Sequence, residues 1–213
     1  QYYLSHTPRC GPHPVAAAFN AMGCDYFTLG NHDFNFGYAA LEEYLGAMRA
    51  QCVCANVQDL AGRLPIVPHA VHTLENGLRV GITGVVTDYV NVWEQPQNLR
   101  QLRVTDALEA ARAALGHLRA QCEVCVCIYH GGFEEDLDSG RVLSATGENI
   151  ACRLARELSF DLLLTGHQHM PVPGVMLAGT WAVQPPANAG QYVQVHGVHS
   201  AQGTRFSSAL KAV

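Results

Sequence analysis

No stretch of this 213-residue chain stays apolar for anything near the roughly 20 residues a membrane-crossing helix needs. A span is not expected, and a soluble globular domain is. Positive charge is also sparse. The 13 Lys and Arg are scattered among 18 Asp and Glu, and the formal net charge is −5. Without a basic stripe, a nucleic-acid polymer is not the expected partner. There is no internal repeat, no low-complexity tract and no linker, so residues 1–213 are expected to form one domain. The opening stretch "QYYLSHTPRCGPHP" shows no secretory leader, and any targeting segment is expected upstream of it.

Histidine, by contrast, is abundant, with 11 residues, nearly as many as Lys and Arg together. Its neutral imidazole is the commonest side-chain metal ligand. Several of the eight cysteines alternate within apolar runs such as "QCVCAN" and "CEVCVCIYH". Residues two apart in a strand share a face, so these read as small buried thiols in a sheet. Cys-x-x-Cys-x-Cys lacks the paired spacing of a zinc site. Unpaired thiols lean towards a reducing compartment.

The periodicity predicts helices over Pro14–Met22, Tyr38–Ala50, Asp106–Leu118 and Glu148–Leu158. Gly23 stands where a helix stop belongs. Strands are predicted over Asp25–Leu29, Cys52–Ala55, Val124–Tyr129 and Asp161–Thr165. "ENG" at 75–77 reads as the turn of a hairpin between His69–Thr73 and Leu78–Thr83. Short strands follow at Val175–Leu177, Trp181–Val183 and Tyr192–Val198. Thr87–Arg103 has no clean period and reads as a loop. Alternating strands and helices, then hairpins, predict a layered α/β domain with mixed sheets.

Three of the strands end in polar clusters flanked by glycine: "GNHD" at 30–33, "YHGG" at 129–132 and "GHQH" at 166–169. Ligands of open α/β sheets bind in the crevice beyond the carboxyl ends of the strands. The three loops are therefore expected to meet at one edge, bringing Asn31, His32, His130, His167 and His169 together. Imidazole nitrogens with an amide oxygen suit divalent transition metals. A pair of such ions about 3.5–4 Å apart would clamp a phosphate.

In this order the three clusters resemble the calcineurin-like metallophosphoesterases. Within that family the chain looks most like the branch of 5′-nucleotidases and 2′,3′-cyclic-nucleotide phosphodiesterases. "HPVAAAFNAMGCDYFTLGNHDFNFG", "CANVQD", "GITGVV", "TGENIACRLA" and "VQPPANAGQY" are similar to further landmarks of the branch. The resemblance implies a four-layer α-β-β-α sandwich, incomplete at its N-terminus. It implies two divalent metal ions (Mn, Zn, Fe or Mg) and a nucleotide or other small phosphoester as substrate. Asn31, His130 and His167 would ligand one metal, and His169 the other. His32 would face the phosphate and help protonate the leaving oxygen. Asp33 would support the ligands from behind.

Two departures from the family pattern matter. Where many 5′-nucleotidases carry an Asp that pairs with the catalytic His, this chain has Asn35, which can orient the imidazole of His32 without a charge. That leans towards cyclic-nucleotide phosphodiesterases, with 5′-nucleotidase/UDP-sugar hydrolase as the alternative. The family's Asp-x-His and Gly-Asp motifs would fall before Gln1. The chain is therefore expected to be part of a longer protein, with the branch's C-terminal nucleotide-binding domain also outside it, and to hold little metal on its own. A non-catalytic nucleotide-binding module with a degenerate metal site is the alternative of another class. On localisation, the branch points to an exported or wall-attached protein and the thiols to the cytoplasm.

Overall fold

The computed structural model describes residues 13–213. It opens with helix α1 (Pro14–Met22), whose start is marked by Pro14 and by the His13 ring accepting from the Ala16 amide. Gly23 ends α1 in the left-handed conformation, φ +70°. Strand β1 (Tyr26–Phe27) leads into a single 3-10 turn over Asn31–Phe34 and then α2 (Gly37–Ala47). Helix α2 stops three residues earlier than its periodicity predicts. The Asn20 side chain explains the stop: its amide donates to the Ala47 carbonyl, while its oxygen accepts from the Arg49 amide.

β1 pairs in parallel with β2 (Gln51–Val53), which pairs in parallel with β4 (Ile66–Val67). A second, six-stranded sheet is mixed. Its order is β10 (Val172–Leu177), β11 (Thr180–Gln184), β9 (Leu162–Thr165), β8 (Val124–His130), β6 (Arg79–Val86) and β5 (His69–Thr73). β11, β9, β8 and β6 run parallel, with antiparallel edges β10 and β5.

β8 is covered on both faces, which is why its sequence is a nearly unbroken apolar run. Cys125, Cys127 and Tyr129 face α4 (Ala107–Arg119) and α5 (Ala151–Glu157), in a core with Leu108, Leu115, Leu118 and Leu154. Asp106 caps α4 by accepting from the Glu109 amide at 2.8 Å. On the opposite face, Val124 and Val126 pack with Leu162, Val195 and Phe206. The two sheets meet at Gly84, where a Cβ would lie 2.2 Å from the Val53 carbonyl oxygen. Asn56, fully buried, completes that corner: its side chain donates to the Val86 carbonyl and accepts from the Val86 amide. Helices α1 and α2 close the outer side of the small sheet around Leu41, Tyr44 and Leu45. The layers thus run helix, sheet, sheet, helix.

Three further sequence expectations are corrected. Thr87–Arg103 is not wholly loop: it holds a one-turn helix α3 (Val90–Trp93) and the start of β7 (Leu102–Val104), which pairs antiparallel with β3 (Val57–Asp59). The helix predicted from Glu148 begins at Ala151, because the preceding backbone is bonded elsewhere. Thr87 Oγ1 and the Tyr129 hydroxyl both donate to the Glu148 carbonyl, and the Ile150 amide donates to Tyr129. The last strand, β12 (Gln191–Ser200), has an unpredicted partner, β13 (Gly203–Ala212).

Among the described residues seven cysteines are free, six of them buried, while Cys10 lies outside them. Burial pushes the thiols of Cys54, Cys125 and Cys152 up to about 11, so they remain protonated packing groups. No helix among the described residues is long and apolar enough to cross a membrane.

Candidate metal centre and active site

Two of the three polar clusters issue from neighbouring parallel strands of the large sheet. Tyr129 on β8 is in register with Thr165 on β9, so His130 and His167 leave the same sheet edge. Their rings lie 5.3 Å apart, edge to face. The third cluster comes from the small sheet, so the crevice lies between the sheets rather than along one edge.

Gly30 sets the close approach between them. A Cβ there would sit 2.9 Å from the His130 ring. Its amide donates to the Asp33 carboxylate at 2.7 Å, and its carbonyl accepts from the Asp33 amide at 3.0 Å. Asp33 thereby folds the 3-10 turn that presents Asn31 and His32. Desolvation pushes the Asp33 carboxyl above its usual range, with the Gly30 amide pulling the other way. The turn delivers Asn31 Oδ1 to 2.9 Å from His130 Nε2.

Gln168 holds the other two loops together. Its carbonyl accepts from the Phe133 amide at 2.7 Å and its amide donates to the Phe133 carbonyl at 2.8 Å. The flanking His167 (φ +73°) and His169 (φ +59°) are both left-handed. Such conformations cost non-glycine residues of order 1–3 kcal/mol and cluster at functional sites. His167 Nε2 lies 2.9 Å from Glu148 Oε1, and its ring lies 5.5 Å from that of Trp93. His169 stands exposed at the rim.

Burial, reinforced by the neighbouring imidazoles of His167, His32 and His169, pushes His130 down to about 4. Near pH 7 it is therefore a neutral donor. Asn31 Oδ1 and His130 Nε2, 2.9 Å apart, form a hydrogen bond and stand close enough to be held by one cation in its place. The N/O donor set of Asn31, His130 and His167 fits a divalent transition metal. Among the described residues, no three His, Cys, Asp or Glu side chains are disposed as a site by themselves; the carboxamide of Asn31 is what completes this set.

Beside these residues opens a cleft of about 240 Å³, lined by Asn31, His32, Asn35, Val90, Trp93, Glu94 and His167. His32 Nδ1 lies 2.7 Å from Asn35 Oδ1. Asn35 in turn donates to Glu94 Oε2 at 2.7 Å. Sequence reasoning missed Glu94, Trp93 and Glu148. The first two sit in the stretch read as loop, and Glu148 in a stretch read as the start of a helix.

The family described as calcineurin-like phosphoesterase matches residues 7–171. The chain belongs to the calcineurin-like phosphoesterase family. It is 30% identical over 177 residues to the trifunctional nucleotide phosphoesterase protein YfkN of Bacillus subtilis, covering 78% of this chain and 12% of YfkN. It is 26% identical over 172 residues to the 2′,3′-cyclic-nucleotide 2′-phosphodiesterase/3′-nucleotidase of Salmonella typhimurium, covering 76% of this chain and 26% of that protein. The crystal structure of a putative 5′-nucleotidase from Staphylococcus aureus in complex with alpha-ketoglutarate superposes with a TM-score of 0.84 at 27% identity, over 99% of this chain and 41% of that one. The chain thus spans about an eighth to a quarter of these curated relatives. It is related to nucleotidases and cyclic-nucleotide phosphodiesterases.

Proposed function

We propose that this chain carries the catalytic centre of a hydrolase that cleaves nucleotide phosphoesters with two divalent metal ions. The substrates favoured are 2′,3′-cyclic nucleotides and 3′-nucleotides. The observation that carries the reading is the 2.9 Å contact between Asn31 Oδ1 and a half-buried His130 held neutral. Asn31, His130 and His167 would hold one cation, and His169 would contribute to the second. Bound there, divalent cations supply charge neutralisation on phosphoryl oxygens and activation of a water.

The remaining work falls to the side chains of the cleft. His32 sits beside the Asn31 ligand and opens to the cleft. Its Nδ1–H donates to Asn35 Oδ1, which leaves Nε2 as the position that takes up a proton and delivers it to the leaving ribose oxygen. Trp93 walls the cleft next to His167. Asn35 in place of a carboxylate favours the cyclic-nucleotide activity over the 5′-nucleotidase alternative.

Substrate profiling of the full-length protein with Mn²⁺ separates these activities. Hydrolysis of 2′,3′-cyclic AMP and 3′-AMP ahead of 5′-AMP and UDP-glucose is expected, and the reverse order would overturn the substrate assignment. In the full-length protein, His32→Ala should lower kcat by about 10²-fold or more, with metal content by elemental analysis unchanged. Loss of metal in that variant would overturn the role given to His32.

A further inference from the structure

Glu94 and Asn98 are joined to His32 through Asn35, and the hydrolysis just described gives Glu94 no task. Glu94 is half-buried at the end of α3, and three donors fix both of its oxygens. Oε2 accepts from Asn35 Nδ2 at 2.7 Å; Oε1 accepts from Asn98 Nδ2 at 2.7 Å and from the Gln95 amide at 2.8 Å. Asn98 also donates to the Asn35 carbonyl at 3.1 Å, which ties the two loops together.

A carboxylate only accepts hydrogen bonds. The Asn35 amide must therefore turn its NH₂ towards Glu94. Its oxygen then has one direction left, towards His32 Nδ1, 2.7 Å away. An amide oxygen also only accepts, so Nδ1 must carry the proton. The neutral ring is thereby held in the tautomer that leaves Nε2 bare and pointing away from Asn35. A single amide flip would present NH₂ to Nδ1 and force the other tautomer. Only the acceptor at position 94 forbids it.

We propose that Glu94 is a positioning residue which, through the Asn35 amide, fixes the tautomer and ring orientation of His32. It stands, one amide further out, in the place of a carboxylate directly beside the imidazole. This rests on the reading of His32 as the proton-holding group, and the test keeps the two apart.

Glu94→Gln presents both a donor and an acceptor to Asn35, so the flip is no longer forbidden. Nitrogen-15 NMR of the histidine rings, at a pH where imidazole is neutral, should show His32 as one Nδ1–H tautomer in the parent and as a mixture in Glu94→Gln. That readout needs no turnover. In the Mn²⁺ assay, Glu94→Gln should lower kcat by about tenfold to a hundredfold, since a wrong tautomer disables a catalytic imidazole, with KM and metal content nearly unchanged.

The decisive arm is the sign of the effect in a second background. In Asn35→Asp two carboxylates face each other at the 2.7 Å now spanned by the Asn35–Glu94 hydrogen bond, and one is disfavoured as an ion. Adding Glu94→Gln there removes the repulsion and lets the introduced carboxylate act on His32 directly. The double variant should be faster than Asn35→Asp alone, whereas in the parent the same change is slower. Equal losses in both backgrounds, or an unchanged tautomer signature in Glu94→Gln, would overturn the proposal. A wild-type kcat in His32→Ala would instead overturn the reading of His32, while the NMR arm would still decide what Glu94 holds.

Discussion

The two walls of the cleft are built in opposite ways. The wall that carries His130 and His167 is made of backbone. Both residues stand at the ends of adjacent parallel strands, the His130 ring rests on Gly30, and Gln168 joins the loops through both main-chain groups of Phe133. The wall that carries His32 is made of side chains. His32, Asn35, Glu94 and Asn98 form a chain of exposed or half-buried hydrogen bonds between the 3-10 turn and α3. In the proposed function this wall would hold a cation, which calls for rigidity, and backbone supplies it. A proton-handling group needs contact with water and substrate, and a polar network gives it orientation without burial. The same kind of substitution should therefore act on stability at one wall and on turnover at the other.

Gln168→Ala is the largest break expected on the buried wall. It strips the Phe133 amide and carbonyl of their partners, and Phe133 is 1% exposed. Leaving two enclosed main-chain groups unpaired costs about 2–4 kcal/mol. For a chain of this size that is a fall in Tm of roughly 5–15 °C, measurable by calorimetry. The freed loops should also loosen His167 and His169, which now sit in left-handed conformations, so metal affinity should fall along with stability. An unchanged Tm would mean that the clamp is incidental.

Acid should separate the walls by a smaller margin. His130 takes up a proton in the folded state only near pH 4, whereas an unfolded histidine does so near 6.5. Between those values protons bind the unfolded chain preferentially. The contribution of His130 is therefore fully present above pH 6.5 and fades as pH falls towards 4, by up to roughly 3 kcal/mol. Urea titrations of the metal-free protein should show the decline, and His130→Gln should flatten it. A slope unaltered by that substitution would place the acid sensitivity elsewhere.

How much of this could be read beforehand follows the range of the interactions. α1 with its Gly23 stop, the hairpin around "ENG", α4 with its Asp106 cap and the double-sided strand β8 all rest on local pattern, and each lies close to its predicted bounds. The three polar clusters were legible because their spacing from strand ends is local too. What the sequence concealed depends on distant partners. β7 forms because β3, more than 40 residues earlier, offers an edge. β13 alternates weakly and is fixed by pairing with β12. Glu94 reads as an ordinary surface carboxylate until the fold sets it against Asn35, 59 positions away. Thr87–Arg103, the stretch that reads as loop, is the one whose structure comes from contacts on other elements.

The smallest effect on stability is expected on the exposed wall, at Asn98, and there the comparison can be sharpened by chemistry rather than size. Asn98 spends its amide on Glu94 and on the Asn35 carbonyl. Asn98→Ala removes both bonds at a partly solvated position, so stability should change by no more than about 0.5 kcal/mol, while kcat should fall by less than about tenfold, one 1.4 kcal/mol step. Asn98→Asp keeps the shape but sets a second carboxylate against Glu94. Like charges at that distance push Glu94 away from Asn35, so Asp should be worse than Ala for kcat although it is the closer isostere. High salt screens exposed charges and should narrow the gap between the two variants. If Ala were the more damaging change and salt had no influence, Asn98 would be filling space, and the exposed wall would owe its order to packing like the buried one.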